Sequence, residues 1–327
     1  MIVVLHNTDG EGGAVDAASV AGAARAVADA LVARGERVEL VGVRGVDALA
    51  ALVALAQRPP ELIVNLCESL AGRASNEPTL AGVLDLLGLR YTGADLVALA
   101  SCLHKDRAKR LLLGAGVPTP PYRVLACDAD LADPTLDALD YPWFVKPVRE
   151  DASVGITDAN VARSAAALRA RAGELMRELA QPVLAERYVA GREVNVGFVG
   201  DRMLPMREID FAGMPADRPN IVSYAAKWDE AHVDYAGTTS VPLAAASPAL
   251  VAELERVARA AWRVLGLRDY GRVDLRVDAA GQPWVIDVNP NCDVSPDAGL
   301  AKAAAAAGLA YEDLVAAIVA SARARAA

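Results

Sequence analysis

The chain has 327 residues, enough for two or three compact units, and a net charge of −9 from 42 acidic and 33 basic residues. That balance argues against a basic nucleic-acid-binding face, and no run approaches the roughly 18 apolar residues of a membrane span. The start, MIVVLH, lacks a basic leader and cleavage site, the four cysteines form no CxxC pair, and the three histidines show no metal-ligand spacing. A cytoplasmic protein with reduced cysteines, small-molecule ligands and no nucleic-acid or membrane partner is expected.

In chain order, residues 2–5 form a short apolar strand, followed by the glycine-rich DGEGG at 9–13 and an alanine-rich helix over 17–34 that Gly35 ends. A strand at 38–43, a helix at 46–57 and a strand at 62–66 complete a βαβαβ order, which implies a doubly wound parallel sheet. The GxGxxG dinucleotide fingerprint is not spelled here, and no acidic residue closes the second strand. The glycine loop reads instead as a place of close approach, with Glu11 and Asp16 available to hold an amino group. Glu77-Pro78 opens a further helix, HKDRAK at 104–109 sits on another, and VPTPP at 117–121 is a stiff linker near a boundary. The expected units are 1–100, 101–190 and 191–327.

The strand WFVKP at 143–147 ends in Lys146 and runs into the small-residue loop 148–155. An ammonium group beside open backbone N–H groups suits phosphate, although the Walker pattern is absent and an ordinary hairpin loop fits the same residues. Glu186 ends a buried-looking strand, an unusual place for an unpaired carboxylate. Glu193, Asn195 and Gly197 then share one strand face. Residues 207–242 lack periodicity and read as a functional lid. Ser247-Pro248 starts a helix with Ser at its N-cap, and two alanine-rich helices over 296–307 and 311–325 close the chain.

Between them lies GRVDLRVDAAGQPWVIDVNPN at 271–291, two alternating strands around a turn at 279–282. That register pairs Val277 with Trp284, Asp274 with Asp287 and Arg272 with Asn289. Directly opposed carboxylates repel unless a cation lies between them. Asp274, Asp287 and the Asn289 amide offer oxygen ligands only, which suits magnesium completed by water and substrate phosphate. A surface hairpin with solvated acids fits the spacing equally well.

These motifs, in this order, resemble the ATP-grasp superfamily, and within it the D-alanine:D-alanine ligase-like carboxylate-amine ligases, over almost the whole chain. The resemblance rests on LHKDRAK at 103–109, FVKPVREDASVG at 144–155, LAERYVAGRE at 184–193, the Lys227 lid, GRVD at 271–274 and DVNPN at 287–291. It implies a mixed α/β ATP-grasp fold behind an N-terminal Rossmann-like domain. It implies that Lys105 and Lys146 hold ATP phosphates, that Ser153 belongs to the phosphate loop, and that Glu186, Arg187 and Val189 frame the adenine with Glu193 on the ribose. By the same resemblance Lys227 reaches the γ-phosphate, Asp274, Asp287 and Asn289 hold two magnesium ions, and Arg272 stabilises the oxyanion. The implied reaction passes through an acylphosphate, and a homodimer is implied as well.

Departures fall on the substrate side. The family's phosphate-loop serine is replaced by Ala152, its lid tyrosine by Trp228, and a carboxylate-binding serine by Ala298. Its His-Gly-x-x-Gly-Glu-Asp-Gly run is replaced by NLCESLAG at 65–72. Asp16, Glu68, Trp228 and Ser295 are the candidates for substrate contacts, and substrates other than D-alanine are expected. A phosphoryl transferase needing a single acceptor, and a catalytically silent nucleotide-binding protein, are the competing readings.

Overall fold

The structure, a computed structural model, describes residues 1–8, 14–45 and 47–325, and the side chains of all of these except 14–19. Glu11 and the side chain of Asp16 therefore lie outside the described residues. The chain begins β1 (Ile2–Asn7), α1 (Ala14–Ala33), β2 (Val38–Val43), α2 (Asp47–Gln57), β3 (Leu62–Asn65), α3 (Glu77–Leu86), α4 (Leu96–Leu103) and α5 (Lys105–Gly114). Strands β2, β1 and β3 pair in that order, all parallel. β1 is apolar on both faces because helices cover both. Val3 and Leu5 meet Leu52, Leu80, Leu84 and Leu99, while Ile2 and Val4 meet Val27 and Leu31 of α1.

There follow β4 (Tyr122–Leu125), α6 (Asp128–Leu131), β5 (Trp143–Pro147), β6 (Val161–Ala162), α7 (Ala165–Leu179) and β7 (Val183–Arg187), an antiparallel sheet in the order β4-β7-β5-β6. Leu168, Ala172 and Leu175, spaced to share one side of α7, pack with Trp143, Val145, Val183 and Ala185.

The third group is β8 (Arg192–Val199), β9 (Arg202–Met203), β10 (Arg207–Asp210), α8 (Tyr224–Trp228), α9 (Val233–Gly237), β11 (Thr239–Pro242), α10 (Pro248–Val264), β12 (Tyr270–Val277), β13 (Pro283–Asn289), α11 (Gly299–Ala306) and α12 (Tyr311–Ala324). Its antiparallel sheet runs β11-β10-β8-β12-β13, with β9 on β8. The stripe Leu254, Val257, Ala258, Ala261 and Trp262 seats α10 on it, with the Trp262 ring stacked 4.7 Å from that of Phe198. Emptying that Trp position would cost about 3–5 kcal/mol. Gly197 lets α11 lie on β8, since a Cβ there would come within 2.8 Å of Leu300. α12 shares a core with α1, joining the last helix to the first sheet.

Three expectations are corrected. Residues 207–242 are not wholly irregular: their ends are β10 and β11, four-residue strands whose order comes from pairing on β8 rather than from a pattern of their own. The first closing helix starts at Gly299, with Ala298 at its N-cap position and no side-chain cap, not at Pro296. The hairpin register holds at Asp274–Asp287 and Arg272–Asn289 but then shifts, so Val277 faces Pro283 instead of Trp284. Ile286 is the extra residue, a β-bulge.

The linker 117–121 is also structural. The Val285 N–H donates to Pro118 O at 2.8 Å, and Thr119 Oγ1 donates to Val285 O at 2.7 Å, closing the outer edge of β13.

Candidate active site

The second and third sheets face each other across a cavity of about 680 Å³. Strand alternation builds its floor. Glu193 stands beside Arg276, Asn195 beside Asp274, and Gly197 beside Arg272, with Asp287 and Asn289 continuing the last two rows on β13. Successive rows lie two residues, or roughly 7 Å, apart. The intervening Val194, Val196, Val273 and Leu275 go into the core under α10.

On this floor Arg272 grips Asp274 with two bonds, Nε to Oδ1 at 2.6 Å and Nη2 to Oδ2 at 2.9 Å. Asn195 and Asn289 also donate to Asp274, at 2.7 and 3.0 Å. Burial opposes the Arg272 charge, but Asp274 outweighs it and raises the guanidinium further. Burial would raise Asp287; Lys105 and Lys146 prevail and hold it below the usual carboxylate range. The opposed carboxylates are thus compensated by protein cations, so their pairing does not by itself demand a metal.

The opposite wall carries the lysines. Lys146 Nζ donates to Ile286 O at 2.9 Å, the carbonyl of the bulged residue, and lies 2.8 Å from Glu186 Oε1. Glu186 Oε2 is 2.5 Å from Lys109 Nζ, which also donates to Thr119 Oγ1. Burial raises Glu186, but the two lysines overcome it and leave the carboxyl below its ordinary value. Glu186 is thereby committed to ammonium groups. Lys105 Nζ lies 2.6 Å from Asp151 Oδ1 and 3.8 Å from Asp287 Oδ2; these carboxylates outweigh burial and raise its ammonium.

Asp151 belongs to the loop after β5, where Ala152, Ser153 and Gly155 have φ of 52°, 61° and 71°. Two neighbouring non-glycine residues in the left-handed region are strained, and outside contacts hold them. Ser153 Oγ donates to Val222 O at 2.9 Å, Trp228 Nε1 to Ala152 O at 3.1 Å, and the Tyr224 N–H to Ile156 O at 3.0 Å. Arg218 of the lid pairs with Asp158 at 3.1 Å. Residues 218–228 are therefore held onto the loop, and Lys227 lines the cavity from among them. Desolvation and the nearby Arg272 charge lower the Lys227 ammonium.

Lys105, Lys146, Ser153, Glu186, Arg187, Val189, Glu193, Lys227, Arg272, Asp274, Asp287 and Asn289 all line this one cavity. Three substrate candidates do not. Glu68 lines a small crevice with Cys67, Asn291 and Asp293, Ser295 bonds to Asp293, and Trp228 turns to the Ala152 carbonyl. Lys109, Asp151 and Arg276 carry no role in the sequence patterns, and Asn195 is placed there only on the strand face of Glu193. Of these, Lys109 had a signal, lying one helical turn after Lys105 on the same face. Among the described residues no three His, Cys, Asp or Glu side chains are grouped to hold a metal. Two carboxylates and an amide oxygen nevertheless match a hard cation that takes its remaining ligands from phosphate and water.

A lidded cleft between two antiparallel sheets, with lysines on one wall and carboxylates on the other, defines an ATP-grasp protein. Residues 111–320 match the family model described as D-ala D-ala ligase C-terminus. The D-alanine--D-alanine ligase of Azoarcus sp. (strain BH72) is 32% identical over 259 residues, spanning 78% of this chain and 79% of that protein. The enzyme of the same name from Marinobacter nauticus is 34% identical over 247 residues, 76% of this chain and 71% of that one. The crystal structure of D-alanine--D-alanine ligase from Bacillus anthracis complexed with ATP superposes with a TM-score of 0.77 at 21% identity, covering 98% of this chain and 96% of that one. The chain belongs to the D-alanine–D-alanine ligase family, ATP-dependent ligases that form ADP.

Proposed function

We propose that the protein joins the carboxylate of one small substrate, an amino acid, to the amine of another, using ATP and magnesium, and that the pair differs from two D-alanines. The observation that carries this reading is the convergence of Lys105, Lys146, Lys227, Arg272, Asp274, Asp287 and Asn289 on one cavity. Lys105 and Lys146 would hold the phosphates beneath the 148–155 loop, and Lys227 would meet the γ-phosphate from the lid. Asp274, Asp287 and Asn289 would hold magnesium, which when bound neutralises phosphate charge. For this, Arg272 yields part of its grip on Asp274.

The substrate carboxylate attacks the γ-phosphorus and ADP leaves; the neutral amine then attacks the acylphosphate carbonyl, and phosphate leaves, carrying away the proton the amine loses. Arg272, freed toward the cavity, stabilises the oxyanion, and the closed lid keeps water from the acylphosphate. Neither step needs a protein nucleophile, which agrees with a cavity of lysines and carboxylates.

Altered substrates are supported by Ala152, whose side chain has no hydroxyl and whose carbonyl is taken by Trp228, and by Ala298, which starts α11 with no side-chain cap. Phosphate release from ATP and magnesium, screened against pairs of amino acids and small carboxylates, tests the reading. A defined pair should give phosphate and a product of condensed mass. Strong release with D-alanine alone would refute altered substrates, and a stable phosphate ester from one acceptor would refute the ligase.

A further inference from the structure

At the end of the floor farthest from Arg272, Arg276 and Glu193 face each other on neighbouring strands, Arg276 Nη2 lying 2.9 Å from Glu193 Oε2. Arg276 is 4% exposed. Its guanidinium is packed 5.5 Å from the Tyr188 ring centroid and 5.4 Å from that of Phe211. Two rings flank the cation, and contact with ring faces leaves its edge donors available. The edge also donates to Asn220 O, a lid carbonyl that Tyr188 Oη reaches at 3.1 Å.

Only one oxygen of Glu193 is used in this arrangement. No donor among the described residues takes Oε1, and Glu193 lines the cavity. We infer that Arg276 is a positioning residue that clamps one oxygen of Glu193 so that the other is aimed at the nucleotide sugar hydroxyls, making this pair the determinant of ribose over deoxyribose. The inference rests on the assignment of Glu193 to the ribose. An acceptor-only carboxylate discriminates well here, because a missing hydroxyl leaves its oxygen unpaired in a partly dry site. Burial pushes the Glu193 carboxyl up, toward a neutral form that would accept less well, and Arg276 opposes that shift.

The alternative is that Arg276 merely pins Asn220 and so steadies the lid. That role would weaken every nucleotide alike. Calorimetric binding of ATP and 2′-deoxyATP, with magnesium, separates the two without any knowledge of the substrates. The full chain should prefer ATP by about tenfold or more, as expected for a hydrogen bond to a charged group. Glu193→Gln should bring the preference to about threefold or less, and Arg276→Met should do the same while the protein stays folded. A preference unchanged in Arg276→Met, with both nucleotides equally weakened, overturns the inference while leaving the Glu193 assignment intact. A preference unchanged in Glu193→Gln removes that assignment and the inference with it. Should Arg276→Met not fold, Arg276→Lys keeps the charge but loses the planar fork. It should show an intermediate preference, and an unchanged one overturns the inference.

Discussion

Lys109 Nζ lies 2.5 Å from Glu186 Oε2; both side chains are buried, Glu186 lining the cavity and Lys109 behind it. Burial lowers the Lys109 ammonium from an ordinary 10.5 to about 8, against the pull of Glu186. Between those values the unfolded chain binds more protons at this residue than the native chain does. Its contribution to stability therefore rises with pH across that window, and the penalty for the buried charge is fully present below about 8. Denaturant midpoints taken from pH 8 to 10.5 should contain a rising component that Lys109→Met lacks. An identical slope in the variant would mean that Lys109 titrates normally.

Asp287 faces Asp274 and lies 3.8 Å from Lys105, so it touches the lysine wall and the proposed metal site together. Asp287→Ala should cut turnover by at least about a hundredfold while thermal unfolding stays cooperative. Turnover within about twofold of the parent would remove Asp287 from the metal set.

Asp151 occupies Lys105 at 2.6 Å where a phosphate oxygen is expected, yet its own side chain is 53% exposed. An exposed partner limits the pair to about 0.2–1 kcal/mol. Asp151→Asn should accordingly tighten ATP binding by no more than about fivefold, measured by calorimetry. Weaker binding would show instead that the carboxylate is a ligand of the bound nucleotide complex.

Trp228 is tied to the 148–155 loop through Nε1, which donates to Ala152 O at 3.1 Å. Trp228→Phe keeps an aromatic, though smaller, side chain and loses the donor. The lid should then open more often, so that phosphate released without product rises relative to product, with the unfolding temperature little changed. Equal ratios in variant and parent would make the contact incidental.

Much of this was legible in the residues. The alternation in GRVD and DVN fixed which side chains share a face, but the turn expected at 279–282 pairs Val277 one residue too far along, and Asp274 meets Asp287 only because the bulge at Ile286 makes up the difference. The bulge at Ile286 did not follow, because its carbonyl is drawn to Lys146, 140 residues earlier. β10 and β11 were hidden for a similar reason, being ordered by a neighbour strand. Glu186 looked like an unpaired carboxylate since its partners lie on other elements. Glu68 and Ser295, proposed by position in the chain, ended in or beside a crevice apart from the main cavity, since chain position does not set where a side chain points.

The linker 117–121 has a consequence for how the chain tolerates surgery. A proline-rich segment between units is ordinarily the first choice for a tag, a protease site or a circular break. Here Pro118 and Thr119 act as the missing neighbour strand of β13, and Lys109 reaches Thr119 from below. Lengthening that segment would uncover the strand that carries Asp287 and Asn289, inviting pairing with another molecule and loosening both metal-side residues at once. Added sequence belongs elsewhere, for instance at the exposed turn Ala279-Ala280, on the far end of the same hairpin.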